Sequence, residues 1–104
     1  MTETEFIEQS SRVFDGLEDA FEAADCDADV SGNVFTAILP DESTIVINKQ
    51  TPMREIWVAS KAGGRHFRSD NGAWTDTRTG EELFDYLARI LKEKYSIKAE
   101  FKKP

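Results

Sequence analysis

The chain contains a single cysteine, Cys26, and a single histidine, His66. One cysteine excludes an internal disulfide framework and fits a reducing cytoplasm, where we expect the protein to act. One histidine excludes the two-histidine facial triad of non-haem iron enzymes, and the Glu-x-x-His pairs of a ferritin-like di-iron centre are absent too. No apolar run approaches the roughly 18 residues of a membrane span, so no membrane is expected. The opening MTETEFIEQS is acidic and has no basic stretch ahead of an apolar one, so it does not read as a secretory signal. Bases are scarcest at the front. Up to Asn48 there is one base (Arg12) against twelve acids, a net −11, whereas from Lys49 onward twelve bases meet eight acids, a net +4. An acidic half of this kind repels phosphates, which argues against nucleic acid, and suits a cationic partner.

What is present suffices for one domain spanning residues 1–104. Hydrophobic residues make up 39% of the 104, and the aromatics comprise seven Phe, two Trp and two Tyr, enough for one modest core. Residues 4–24 repeat with a helical period that puts Phe6, Val13, Leu17, Phe21 and Ala24 on one side, with Ser10 among them. Glu8, Asp15, Glu18, Asp19 and Glu22 fall in an arc of about 100° on the far side. Asp25, Asp27 and Asp29 continue beyond the helix C-terminus, where the dipole disfavours negative charge. That unfavourable placement points to selection by something other than folding.

The middle of the chain predicts short strands at VFTAIL (34–39), TIVIN (44–48), EIWVAS (55–60), RHFRS (65–69) and AWTDT (73–77), separated by turn residues. The Gly63-Gly64 and Asn71-Gly72 pairs supply hairpin turns, and such brief links force antiparallel pairing. A last helix is predicted to open at Thr79 with Glu82 as a capping box, its apolar stripe being Leu83, Phe84, Leu87, Ile90 and Leu91. The final KYSIKAEFKKP is a basic tail that either packs or frays. Two amphipathic helices cover only one face of a sheet, so the other face is open.

In EIWVAS the pleat sends Ile56 and Val58 toward the helices and Glu55, Trp57 and Ala59 toward the open face, with Glu55 marking that side as solvent. Trp57 is then either a tryptophan buried among its strand neighbours or an exposed aromatic anchor for a protein partner. The carboxylate run EDAFEAADCDAD (18–29) is open to three readings: a solvated face, a metal site, or a docking surface. Carboxylates are hard ligands suited to ferrous, ferric, magnesium, calcium or manganese ions, with modest affinity and poor selectivity in the absence of a cage. An EF-hand counted from Asp25 would need Gly and Glu where Val30 and Thr36 stand, so that reading fails. Cys26 has neither a CxxC pattern nor a neighbouring histidine to make it a nucleophile. His66 reads as a surface strand residue. Gly63-Gly64 lacks the following helix that phosphate binding requires.

The stretch TIVINKQTPMREIWVASKAGGRHF resembles the signature of the frataxin family. The matching residues are Val46 to Pro52, then Ile56-Trp57, then Gly63-Gly64 ahead of His66-Phe67. The similarity continues through Trp74, Asp76 and the Gly80-Glu81-Glu82-Leu83 opening of the last helix, and an acidic first helix from near Glu5-Phe6 matches as well. It covers nearly the whole chain, and the short length with no targeting extension in view looks like the bacterial form. The resemblance implies an α+β fold: a two-layer sandwich with two terminal helices on one face of a five- to six-stranded antiparallel sheet. It implies iron, Fe2+ or Fe3+, held weakly and reversibly on an acidic ridge, with other hard divalent cations able to substitute. Carried over by position, the ridge is Glu18, Asp19 and Glu22 followed by Asp25, Asp27 and Asp29; Asp15 on the same helical arc joins them as a candidate metal ligand. The partners implied are a cysteine desulfurase and the cluster scaffold of iron–sulfur assembly. Their contacts fall on Glu18, Asp19 and Glu22 and on Asn48, Gln50 and Trp57. The chain would act as iron donor or regulator rather than as an enzyme, and as a monomer, with iron-driven oligomerisation left open. The competing reading is a ferroxidase that oxidises Fe(II) and stores it as an oligomer, which oxygen consumption per added Fe(II) would reveal.

Overall fold

The structure is a computed structural model that describes residues 1–103. The first helix, α1 (Glu3–Ala23), starts at a capping box: the Glu5 N–H donates to Thr2 Oγ1 (3.1 Å) and the Thr2 N–H donates to Glu5 Oε1 (3.0 Å). It ends in a Schellman turn, with Cys26 N–H donating to Phe21 O (2.9 Å) and Asp25 N–H to Glu22 O (3.0 Å). Asp25 takes the left-handed position, at φ 61°, that glycine ordinarily fills. The helix buries Phe6, Ser10, Val13, Phe14, Leu17, Ala20 and Phe21, whereas Ala24 serves as its C-cap and is only partly buried.

Six strands follow as a meander: β1 (Asp27–Ser31), β2 (Val34–Ile38), β3 (Thr44–Gln50), β4 (Glu55–Ser60), β5 (Gly63–Asp70) and β6 (Ala73–Asp76). They pair in chain order, each antiparallel to the next. Strand β1 is the one the sequence pattern does not show, because DADVS has no apolar alternation; pairing with β2 makes it a strand. The β5–β6 hairpin turns on Asn71 (φ 51°) and Gly72 (φ 86°), the two positive values that a type I′ turn needs. The outer side of β6 carries an isolated bridge between Thr75 and Glu82, so among the described residues β1 is the edge that no such bridge covers.

The second helix, α2 (Leu83–Tyr95), begins later than the capping-box pattern predicts. Its N-cap is Glu82, whose carboxylate accepts from the Asp85 N–H (2.9 Å), and not Thr79. The reason is Asp76: its Oδ1 takes the Arg78 and Thr79 N–H groups at 2.7 and 3.2 Å and holds residues 77–81 in a loop.

Both helices lie on one face of the sheet. Phe35, Ala37, Ile45, Ile47, Ile56, Val58, Phe67 and Trp74 supply the sheet side of the core, and Leu83, Phe84, Tyr86, Leu87, Ile90 and Leu91 complete the helix side. Edge-to-face pairs tie the layers together, Phe14 to Phe35 at 5.7 Å and Phe6 to Trp74 at 5.8 Å. The C-terminal tail packs rather than frays. Ile97, Ala99 and Phe101 lean on the core, with the Phe101 ring 5.7 Å from Phe21 and 5.9 Å from Phe84.

Candidate functional site

Two surfaces carry the residues that the sequence singles out, and they meet at the β1 edge. On α1, Asp15, Glu18, Asp19 and Glu22 follow the i, i+3, i+4, i+7 spacing of one helix face, opposite the buried stripe. Asp15, Asp19 and Glu22 are exposed and Glu18 is half-buried. Asp25 then sits in the exposed turn after the helix. Asp27 and Asp29 stand on β1, pointing away from the core-facing Ala28 and paired with Ile38 and Thr36 of the open sheet face. The acids therefore do not make one helical stripe; they run along α1 and wrap around the sheet edge.

None of these seven carboxylates makes an ion pair or a side-chain hydrogen bond within the described residues. Nor, among those residues, do any three Asp, Glu, His or Cys side chains gather closely enough to form a ready metal cage. A row of separated carboxylates can share a hard cation only with water completing the shell, the condition for weak and unselective binding. Lys49 feels the charge of Asp15 without forming an ion pair with it among the described residues. Its Nζ lies 4.5 Å over the Phe14 ring and donates to Ser11 Oγ at 3.2 Å; burial lowers its pKa while Asp15 pulls it up.

The open face is organised around one transverse row. Ser31, Val34, Asn48, Trp57 and His66 are successive cross-strand partners from β1 to β5. Gln50, Glu55, Arg68 and Thr75 form the next row. Asn48, Gln50 and Trp57, named by the resemblance, thus stand side by side, and Trp57 is half-buried on the open face as the pleat predicts. Its indole stacks on the His66 ring, with centroids 4.2 Å apart and planes 8° from parallel. Val34 and Ile38 add exposed apolar surface toward β1.

Glu55 corrects the sequence reading. It points to the open face but is only 4% exposed, so it does not mark solvent. Trp57 Nε1 donates to its Oε1 at 2.9 Å, Arg68 donates to its Oε2, and His66 Nδ1 lies 3.8 Å from Oε1. Burial pushes its pKa up, but the hydrogen bonds from Trp57 and Arg68, with the charges of Arg68 and His66, outweigh that and hold it below the ordinary value. Asp76 behaves alike: burial raises its pKa, and the Arg78 N–H, the Arg65 guanidinium and the Thr79 N–H together bring it down. Cys26 is buried, and desolvation with Asp25 and Asp27 nearby raises its thiol pKa, which keeps it inert.

His66 and Arg68 are the functional-site neighbours that the sequence reading missed. The sequence puts this hairpin turn at Gly63-Gly64, but the chain turns at Lys61 and Ala62 and both glycines lie in β5; the two-residue shift in register is what sets 66 opposite 57 and 68 opposite 55.

Known proteins share this fold and sequence. An iron–sulfur cluster assembly protein, CyaY, from Ralstonia nicotianae is 43% identical over 103 residues, covering 93% of this chain and 91% of its own length. The CyaY protein of Cupriavidus metallidurans is 44% identical, covering 93% of each chain. Among solved structures, frataxin from Psychromonas ingrahamii matches with a TM-score of 0.90 at 27% identity, covering 98% of this chain and 99% of that one. Trimeric frataxin of Saccharomyces cerevisiae, complexed with ferrous iron, matches at 0.70 and 36% identity, covering 88% of this chain and 86% of that one. A model of the frataxin-like domain matches residues 1–97, and the chain belongs to the frataxin family.

Proposed function

We propose that this chain is a non-enzymatic, iron-binding adaptor of iron–sulfur cluster assembly, acting as a single domain in the cytoplasm. Fe(II) or Fe(III) associates weakly with Asp15, Glu18, Asp19, Glu22, Asp25, Asp27 and Asp29. The same ridge, together with Asn48, Gln50 and Trp57, docks on a cysteine desulfurase and its scaffold. The observation that carries this reading is the set of seven carboxylates without an internal cation, running directly into an open sheet face with a half-buried tryptophan. Carboxylates lined along one helix face and strand edge repel one another, and an external cation, whether a metal ion or a basic protein surface, relieves that repulsion. Relatives named for iron–sulfur cluster assembly and a frataxin complexed with ferrous iron support both halves of the reading.

Two measurements test it. Titration with a paramagnetic ion should broaden the amides of residues 15–29 first; broadening centred on His66 would remove the ridge as metal site. Affinity for the desulfurase should fall with salt, because exposed charges are screened beyond about 8 Å at physiological ionic strength. The triple variant Glu18→Lys, Asp19→Lys, Glu22→Lys should keep the fold and lose binding. If it binds normally, the ridge is a metal site only.

A further inference from the structure

The sheet places a buried carboxylate beneath the aromatic pair on its exposed face, and neither the hydrophobic core nor the metal ridge uses it. Glu55 is 4% exposed although its side chain leaves the core side of β4. Its two oxygens are divided: Oε1 accepts from Trp57 Nε1 at 2.9 Å and lies 3.8 Å from His66 Nδ1, and Oε2 accepts from Arg68. Residues 55 and 57 share one face of β4, and β5 sets Arg68 opposite Glu55 and His66 opposite Trp57, so register alone assembles the four groups.

A half-exposed indole on a flat sheet has several rotamers open to it, and a partner that needs one of them bears the cost of ordering it. Here that freedom is already removed. The indole N–H is tied to Glu55, and one ring face is covered by the parallel His66 ring. We propose that Glu55 is a positioning residue that fixes the Trp57 ring in its docking orientation and leaves the indole face opposite His66 for the partner. This rests on the reading that Trp57 contacts the desulfurase or its scaffold.

The test compares Glu55→Leu, Glu55→Gln, Trp57→Phe and Trp57→Ala by affinity for the cysteine desulfurase, alongside the NMR indole N–H signal of Trp57 with buried Trp74 as internal reference. Glu55→Leu deletes the acceptor and should weaken binding about tenfold, the scale of one hydrogen bond to a charged group, while the Trp57 signal moves and the Trp74 signal does not. Glu55→Gln keeps an acceptor for the indole but loses the charge facing Arg68, so stability should fall while affinity stays within about twofold. Trp57→Phe keeps a ring but deletes the N–H, and should reproduce the Leu variant's loss even if that variant fails to fold. In a Trp57→Phe background, changing Glu55 to Leu should have no further effect on affinity, whereas an additive tenfold loss would overturn the positioning role. Wild-type affinity in Glu55→Leu or Trp57→Phe, with Trp57→Ala impaired, overturns the positioning role and leaves the docking reading standing. Wild-type affinity in Trp57→Ala overturns both.

Discussion

The two halves of the chain use their carboxylates in opposite ways. Of the eight acids from Glu55 onward, six hold a cation: Glu55 holds Arg68, Asp76 holds Arg65, Glu81 and Glu93 hold Arg89, and Glu82 and Asp85 hold Lys103. Of the twelve acids before Asn48, one does, Asp41 with Lys61, among the described residues. The difference separates carboxylates that the fold consumes from carboxylates that it leaves free. Paired acids fix local geometry: Asp76 sets the loop before α2, and Glu55 sets the tryptophan. Unpaired acids on a helix face and a strand edge contribute little to stability and are available to whatever arrives from outside. They also guard β1, since charged side chains discourage another strand from joining an open edge.

Removing one acid from each class separates the two roles. Asp76→Ala strands the Arg65 guanidinium and two loop N–H groups beside a buried site, and should cost about 3–5 kcal/mol in urea unfolding. Asp19→Ala, on the exposed ridge, should change stability by no more than about 0.5 kcal/mol. Equal losses would show that the ridge is structural after all.

Acid titration gives a smaller effect with a defined sign. Glu55 and Asp76 both have folded pKa values below their ordinary 4.5 and 3.8. Their contribution is therefore complete above those values and disappears as pH falls through the lower, folded ones. Stability should decline from about pH 4.5 downward. Asp76→Asn should flatten that decline while lowering the plateau near pH 7, measured as unfolding midpoints across pH. A variant whose acid limb runs parallel to the wild type would mean that other carboxylates carry the decline.

Much of this was legible in the sequence, and the failures share a cause. Helix periodicity gave α1 and α2, and alternation gave five of the six strands, because burying one face leaves a periodic mark. Strand β1 left none: exposed on both sides except at Ala28, DADVS is held by its pairing with β2. The start of α2 differs from the capping-box expectation for a related reason. Asp76 captures N–H groups two and three residues ahead, and a motif read at Thr79 does not register a competitor upstream. At the site, Trp57 was placed by the pleat. The burial of Glu55 was not, since it depends on Arg68 arriving from another strand. Side chains satisfied across strands are the part that local pattern does not encode.

A modest gain in stability bears on why the ridge extends past the helix at all. Asp25 occupies the left-handed position of the Schellman turn, at φ 61°. Glycine adopts that conformation without strain, whereas a side chain there is disfavoured, less for Asp than for most residues. Asp25 also brings negative charge to the C-terminal end of α1, next to Glu22 and Asp27, where the macrodipole opposes it by about 0.3–1 kcal/mol. Asp25→Gly removes the strain and the charge together, at the cost of a more flexible unfolded chain. The net expectation is a gain of roughly 1 kcal/mol, equivalent to about 4–8 °C in melting temperature for a chain near this size. The same substitution should weaken Fe(II) binding, because a ridge carboxylate is gone. Stabilisation together with weaker metal binding would place Asp25 among the acids kept at the expense of folding. A loss of stability, with metal affinity unchanged, would move Asp25 into the structural class and shorten the ridge to the helix and β1.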